Sequence, residues 1–227
     1  MAIQRVPPPQ QQPKKKAGWG CVGCGCLIVV VIFLLLAGLV GGLFYFGYKE
    51  LYSLTSAAPT PIPSFTGGDD VYTGAQKKID TFNQAVGTGN SSSLTLSGDE
   101  INSVIAHDPD VARLQMHLFV TLTGDQARVQ GSIPTNSFGM RLISDRYLNY
   151  DATFGITFNS DTKRIDTNLH KMQIGDSSLP ESALPTMDAE FLPWIEMLIN
   201  HYPAAKNAVA AAKTITIKDG QLLIETK

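Results

Sequence analysis

The stretch from Tyr147 to Ile174, YLNYDATFGITFNSDTKRIDTNLHKMQI, decides the fold class of this chain. It holds two runs rich in aromatic and β-branched residues, which favour strands, and the polar sequence SDTK between them favours a turn. In the first run Phe154, Ile156 and Phe158 alternate with small or polar residues, so their side chains share one face of a strand. The stretch therefore predicts an antiparallel β-hairpin with one apolar face.

Other segments of the chain show the same alternation. In residues 114–134, LQMHLFVTLTGDQARVQGSIP, the apolar side chains expected on one strand face are Leu114, Met116, Leu118, Val120 and Leu122. The sequence TGD then turns the chain into a strand that carries Ala127 and Val129. Near the end of the chain, TITIKDGQLLIETK predicts two short strands around Asp219–Gly220.

Helices are predicted before and after this group of strands. The sequence DDVYTGAQKKIDTFNQAV has apolar residues every three to four positions, which indicates an amphipathic helix capped by Asp69 or Asp70. Ser97 followed by Glu100 is a capping box that begins a second, short helix. Residues 177–212 are again helical in pattern. Strands joined by short turns, with helices on both sides in sequence, predict an antiparallel α+β domain.

One apolar segment near the N-terminus is long enough to cross a membrane. Leu27–Phe46 contains twenty residues with no polar group except the Tyr45 hydroxyl, and no charged residue occurs between Lys16 and Lys49. As a helix, at about 1.5 Å per residue, it spans roughly 30 Å, the thickness of a bilayer's hydrocarbon core. We expect a transmembrane helix over 27–48. A cleaved signal peptide is the alternative, but its apolar region is usually only about 7–15 residues long.

Flanking charge predicts the topology of this helix. Segment 1–26 is a disordered tail with a Cys/Gly-rich end, and its basic residues include Lys14, Lys15 and Lys16, with no acid among them. The positive-inside rule places this tail in the cytosol and the helix in the cytoplasmic or plasma membrane, with the remainder outside. From Leu51 onwards the chain has 13 Lys and Arg against 19 Asp and Glu, a net charge of −6. An acidic outer region argues against nucleic acid as a partner.

The outer region divides into a stalk and a domain. Residues 49–69 include SAAPTPIPSFTGG, in which alternating prolines favour an extended, semi-rigid chain. Residues 70–227 hold the predicted strands and later helices and contain no cysteine, so an apolar core rather than disulfides must stabilise them. The sequence thus predicts a single extracytoplasmic α+β domain on a stalk.

The chain has no recognisable catalytic or cofactor-binding motif. The GxSxG, P-loop, GxGxxG and HExxH patterns are absent, and the four histidines have no ligand spacing. We therefore expect no catalytic residue, no metal site and no cofactor. The expected function is that of a binding protein and not of an enzyme.

Three cysteines, Cys21, Cys24 and Cys26, directly precede the apolar segment. A closed zinc site needs four ligands, and on a helix Cys26 would lie about 200° from Cys24, which disfavours a metal site. Two interpretations stay open: acylation, which uses juxtamembrane cysteines beside basic residues, or small residues tolerated at the membrane edge. Within the apolar segment, Gly38 and Gly42 form a GxxxG pattern that is a candidate for pairing two helices in a homodimer.

The order of four segments suggests a family. They are LTLSGDEINSVI, RYLNYDATFGITF, MQIGDSSLPESAL and ITIKDGQLLIE, and together they resemble uncharacterised bacterial single-pass membrane proteins of the YpmS-like kind. The residues that stand at the two motifs of that kind are Glu100, Ile101, Asn102 and Ile105, then Ile174, Gly175, Leu179 and Pro180. The resemblance implies a long curved meander packed on a helix, similar in outline to half of a tubular lipid-binding module.

Two functions follow as hypotheses. In the first, the outer domain binds a lipid or another hydrophobic ligand, provided that the apolar strand faces form an open groove rather than a filled core. The candidate lining residues are Leu114, Met116, Leu118, Val120, Leu122, Phe154, Ile156 and Phe158. In the second, the protein is an interaction or assembly module of the cell envelope, which uses a sheet edge outside and helix pairing within the bilayer.

Overall fold

A computed structural model of the chain describes residues 52, 54–138, 145–189 and 203–226. These residues form an α+β domain with two antiparallel sheets, which confirms the predicted fold class of the outer region. None of the helices in these ranges is long and apolar enough to cross a membrane. The transmembrane helix predicted over 27–48 lies outside the described residues.

The helices of the domain are short except for the first. They are α1 (Asp69–Gly87), α2 (Gly98–Ala106), α3 (Pro109–Arg113) and α4 (Pro203–Ala211), with 3-10 turns at Thr135–Phe138 and Glu181–Ala183 and helical residues at 184–189. The capping box of α2 is confirmed, because Ser97 Oγ accepts from the Glu100 N–H (3.2 Å) and Glu100 Oε2 accepts from the Ser97 N–H (3.0 Å). The predicted cap of α1 is wrong, because its N-cap is Gly68. Asp69 and Asp70 lie in the first turn, where their negative charges interact favourably with the positive end of the helix dipole.

The strands form two sheets. They are β1 (Ser93–Ser97), β2 (His117–Thr123), β3 (Gln126–Pro134), β4 (Tyr147–Asn159), β5 (Arg164–Ile174), β6 (Ser177–Ser178), β7 (Ala212–Lys218) and β8 (Gln221–Thr226). The larger sheet has the order β2-β3-β4-β5-β6, so its strands follow one another along the chain as a meander. The smaller sheet has the order β1-β8-β7 and joins a strand from early in the domain to its last hairpin.

The hairpin predicted from residue 147 to residue 174 is confirmed as β4 and β5. Its turn is set by Asn159, whose Oδ1 accepts from the N–H groups of Asp161 and Thr162, both at 3.0 Å. Lys163 completes the turn with a φ of 55°. An asparagine side chain that bonds the backbone two residues ahead is a common way to fix such a turn.

The predicted start of β2 is wrong by three residues. Leu114 is the C-cap of α3, and Gln115 adopts a left-handed φ of 53°, which reverses the chain before the strand begins at His117. Local helix termination therefore overrides the alternation that extends back to Leu114 in the sequence.

Both sheets and α1 share one apolar core. From the larger sheet its most buried residues include Val129, Ile133, Phe154 and Met172; from the smaller sheet, Leu96 and Ile224; and from α1, Ala75, Ile79 and Phe82. The inner faces of β4 and β7 lie against each other, and Lys163 Nζ donates to the Ala212 carbonyl (2.7 Å) at this junction. The core holds the outer edge of β1 beside α1, where a cleft opens.

Candidate functional site

A cleft of about 510 Å³ lies between α1 and β1. Its lining residues are Gly74, Lys77, Lys78, Thr81, Phe82, Ser93, Leu94 and Thr95. Phe82 and Leu94 are almost fully buried and form its apolar floor, whereas the two lysines lie on its rim. Roughly 300–1,000 Å³ is the size range of protein ligand sites, so this cleft is large enough to hold part of a ligand.

One wall of the cleft is the outer edge of β1. The Thr226 N–H donates to the Ser92 carbonyl (2.9 Å), and the register pairs Leu94 with Ile224. Since hydrogen bonding alternates along an antiparallel pair, the backbone groups of even-numbered β1 residues point to β8. Those of Ser93 and Thr95 therefore point away from the sheet and into the cleft.

Within the described part of the chain, the contacts that reach this outer row are few. Lys78 Nζ is 3.4 Å from the Thr95 carbonyl oxygen, and the Ser97 N–H donates to Glu100 at the end of the strand. The backbone groups of Ser93 and the Thr95 N–H, which precede these contacts, have no partner on this side among the described residues. An unpaired edge of this kind is a template on which a second extended chain can form hydrogen bonds.

The outer edge of β2, by contrast, is closed by a buried side chain. Asn102 on α2 is 3% exposed, and its Nδ2 donates to the Val120 carbonyl while its Oδ1 accepts from the Val120 N–H, both at 2.8 Å. The carboxamide thus replaces one residue of a neighbouring strand. The sequence places Asn102 in the first YpmS-like motif but does not indicate this role, because the role depends on the distance between α2 and β2.

The outer edge of β5 is closed in a similar way. The carboxylate of Asp188 accepts from Thr167 Oγ1 (2.5 Å) and from the Leu169 N–H, and the Leu179 N–H donates to the Met172 carbonyl (2.9 Å). Burial raises the pKa of Asp188, and the hydrogen bonds from Thr167 and Leu169 only partly offset this effect. Helical segments supply polar partners to the edges of β2 and β5, and on the outer edge of β1 such partners reach the Thr95 carbonyl and the Ser97 N–H.

Two lysines provide the positive charge of the cleft rim, and they differ in whether they form an ion pair. Lys78 Nζ pairs with Glu100 Oε1 at 2.6 Å. Burial opposes ionisation of Glu100, but hydrogen bonds from Lys78 and Ser97 outweigh it, so the pKa of Glu100 lies below its usual value. Lys77 is exposed, and the described residues provide no ion pair for it. The rim thus offers one cation that is free to bind an acidic group.

The predicted groove residues lie on the core side of the larger sheet or beside it. Three of them are buried, namely Met116, Val120 and Phe154. Five are half-buried and pack against the core, namely Leu114, Leu118, Leu122, Ile156 and Phe158. The strands β2 and β4 that carry most of them are separated by β3, and Leu114 is at the end of α3 instead of on a strand. Ligand binding on this face stays a prediction.

One polar atom on this face was not found from the sequence. The ring of Tyr150 lies over Gly131, where a Cβ would be only 1.9 Å from the hydroxyl oxygen, so only glycine fits opposite. The Tyr150 hydroxyl is buried and has no hydrogen-bond partner among the described residues, and burial raises its pKa well above the usual value. Only the register of β3 against β4 brings this pair together.

The remaining candidates fall outside the described residues or form no cluster. Those outside are the acylation candidates Cys21, Cys24 and Cys26, the helix-pairing candidates Gly38 and Gly42, and the topology determinants Lys14, Lys15 and Lys16. Across the described ranges, no group of three or more His, Cys, Asp or Glu residues is arranged to hold a metal ion. His107 ends α2, where it stacks on Tyr72 with 4.0 Å between ring centroids.

No protein-family model, curated protein or solved structure matches this chain. The resemblance to YpmS-like membrane proteins therefore rests on the quoted sequence motifs, and functional inference rests on the geometry of the domain.

Proposed function

We propose that this protein is a non-enzymatic, single-pass module of the cell envelope, and that its outer domain binds an extended, acidic segment of a partner protein. The observation that carries the proposal is the row of backbone groups at Ser93 and Thr95, which faces the cleft beside α1. We call the cleft together with this strand edge the β1 groove.

Binding would occur by strand addition. An extended peptide beside β1 exchanges main-chain hydrogen bonds with Ser93 and Thr95, which provide affinity with little dependence on sequence. Its side chains alternate, so one set reaches the apolar floor formed by Phe82 and Leu94. An acidic residue on the other set is attracted by Lys77, and this contact provides selectivity.

Site-specific photocrosslinking in intact membranes tests this proposal. A photoreactive residue at Thr95 should crosslink to a partner, and mass spectrometry should map the crosslink to an extended acidic segment. The same residue at Asn168, an exposed position on β5, is the control and should not yield that product. Crosslinks from Thr95 to lipid alone, or to partner segments that are helical or basic, would contradict strand addition.

Two variants make the test specific. Ser93→Pro, combined with the photoreactive residue at position 95, removes an N–H that points away from β8, so it should abolish the crosslink while the domain still folds, since proline is tolerated on strand edges of this kind. Lys77→Glu should weaken the crosslink, and Lys171→Glu on β5 is its matched control. If Lys77→Glu and Lys171→Glu crosslink equally, Lys77 does not select an acidic segment, and that part of the proposal is wrong.

A second candidate function is the binding of a lipid or other hydrophobic ligand, and the observation that favours it is the unpartnered hydroxyl of Tyr150. A buried hydroxyl without a hydrogen bond costs free energy, and the polar group of a ligand would offset that cost. Half-buried Leu118 lies in the same cross-strand row, on the far side of Gly131. Native mass spectrometry of the purified chain should then show a bound ligand that is lost in Tyr150→Phe, and a ligand-free chain would refute this function.

The membrane anchor is part of the proposal and is supported by the sequence. A helix over 27–48 with a cytosolic N-terminus predicts that added protease digests the outer domain of intact cells and spares the tail.

Serine in place of the three cysteines should leave this topology unchanged and should abolish lipid-dependent sorting if they are acylated. Crosslinking across Gly38 and Gly42 would test homodimer formation in the bilayer. The curved outline and YpmS-like membership are proposed on the resemblance alone.

A further inference from the structure

The chain between the predicted anchor and α1 is attached to the larger sheet. Ser56 and Tyr147 form a bridge in which each N–H donates to the other's carbonyl, at 2.9 and 2.8 Å. Farther along, the Thr60 N–H donates to Asn149 Oδ1 and Asn149 Nδ2 donates to the Ala58 carbonyl, both at 3.1 Å. We call the described residues of 52–60 the strap. The strap runs alongside the beginning of β4.

Arg146 fixes the N-terminal end of the strap. Its guanidinium lies 4.0 Å from the centre of the Tyr52 ring, a cation–π contact. Its Nε donates to Thr55 Oγ1 at 2.6 Å, and its Nη2 donates to the carbonyls of Tyr52 (3.3 Å) and Thr55. One side chain thus bonds two consecutive parts of the strap.

Burial shows that the strap is an integral part of the domain. Ser132 and Asn149 are on the polar face of the sheet, yet they are only 0% and 4% exposed. Ser132 Oγ donates to Asn149 Oδ1 (2.7 Å), and the strap supplies the other partners of this carboxamide. Without the strap these buried polar groups would lose their partners, which is costly.

We infer that the strap holds the Arg146 end of the larger sheet beside the phospholipid headgroups. The inference rests on the proposed anchor over 27–48. Four residues from position 48 to Tyr52 reach at most about 14 Å, whereas a free chain up to Asp69 would reach about 75 Å. Tyr52 is 54% exposed, and tyrosine is favoured at the membrane interface. The tether, and not charge, sets this position, since the outer region is acidic.

Energy transfer in liposomes tests the inference with the full-length chain. The liposomes are phosphatidylcholine with a small fraction of acceptor-labelled lipid. A donor is attached through a noncanonical residue at Asp176 or Asp161, which are exposed positions at opposite ends of β5. The ends of this strand are roughly 35 Å apart. The donor at Asp176, on the Arg146 side, should be quenched more strongly by the lipid acceptor.

Two variants separate the bound strap from a released one. Both carry serine in place of the native cysteines. In Ser56→Cys with Tyr147→Cys, a disulfide locks the bridge, because hydrogen-bonded antiparallel pairs have Cα atoms about 5.5 Å apart. This variant should keep the stronger quenching at Asp176. In Arg146→Ala with Ser56→Pro, the strap loses three side-chain bonds and one N–H, and the difference between the two donor positions should be lost.

The outcomes distinguish this inference from the anchor on which it rests. If alkaline carbonate extracts the wild-type chain from liposomes, the anchor is wrong and the inference fails with it. If the chain stays anchored but the two donors are quenched equally, the inference alone is overturned. If circular dichroism shows that the released variant does not fold, wild type and the locked variant are compared instead. Stronger quenching at Asp176 than at Asp161 in both of them supports the inference, and equal quenching in both overturns it.

Discussion

Replacing Asn102 by alanine should destabilise the domain by an amount that can be worked out from two hydrogen bonds. The side chain is 3% exposed, and its two 2.8 Å bonds satisfy both backbone groups of Val120. Leaving a buried donor or acceptor without a partner costs about 1–3 kcal/mol each. The expected loss for Asn102→Ala is therefore about 2–6 kcal/mol, a large fraction of the roughly 5–15 kcal/mol that stabilises a typical domain.

Urea unfolding of the full-length chain in mild detergent, followed by circular dichroism, measures this loss. Asn168→Ala is the matched control, because Asn168 is exposed on β5 and its truncation should change the free energy of unfolding by no more than about 0.5 kcal/mol. Asn102→Ala should also aggregate more readily than wild type, since the edge of β2 becomes unpaired. If Asn102→Ala and Asn168→Ala unfold at the same urea concentration, the reasoning that this carboxamide closes the edge is wrong.

Three further substitutions have defined outcomes. The pKa of Glu100 lies below its usual value of 4.5, so the stability that its pair with Lys78 contributes is present above that pH and is lost on acidification. In Glu100→Gln the melting temperature should therefore fall less as the pH is lowered. The pKa of Asp188 is raised, so stability falls as pH rises above 3.8, and Asp188→Asn, which keeps an acceptor for Thr167, should gain on wild type between pH 3 and pH 7 in thermal melts. Tyr150→Phe removes an unpartnered hydroxyl and should raise the melting temperature by a few degrees, about 1 kcal/mol; a decrease would show that the hydroxyl has a partner in solution.

The hairpin from residue 147 to residue 174 could be predicted because its information is local. Alternation gives each strand, and the sequence after Asn159 gives the turn. The capping box of Ser97 and Glu100 is equally local, since its two reciprocal bonds join residues three apart. These features need no knowledge of the rest of the fold.

The features that sequence reasoning missed depend on contacts between distant segments. Strand β1 has only five residues, and its partner β8 is more than 120 residues later, so neither its existence nor its open edge was visible. The prolines around the strap indicate a spacer, but Ser56 and the distant Asn149 attach it to the sheet. Asn102 is a polar residue of the predicted second helix, and its role in closing the β2 edge emerges only when Val120 is brought beside it.

The pairing of β1 with β8 has a consequence for the order of events during biosynthesis. Ser93 pairs with Glu225, so the smaller sheet cannot form until the chain has been synthesised as far as Glu225. Until then α1 and α2 lack part of the surface on which they pack, and loop closure over such a separation is entropically slow. The growing chain therefore passes through a stage in which apolar segments are exposed. Loss of the β7–β8 hairpin would make that stage permanent, so β1 remains unpaired in any chain that ends before Gln221.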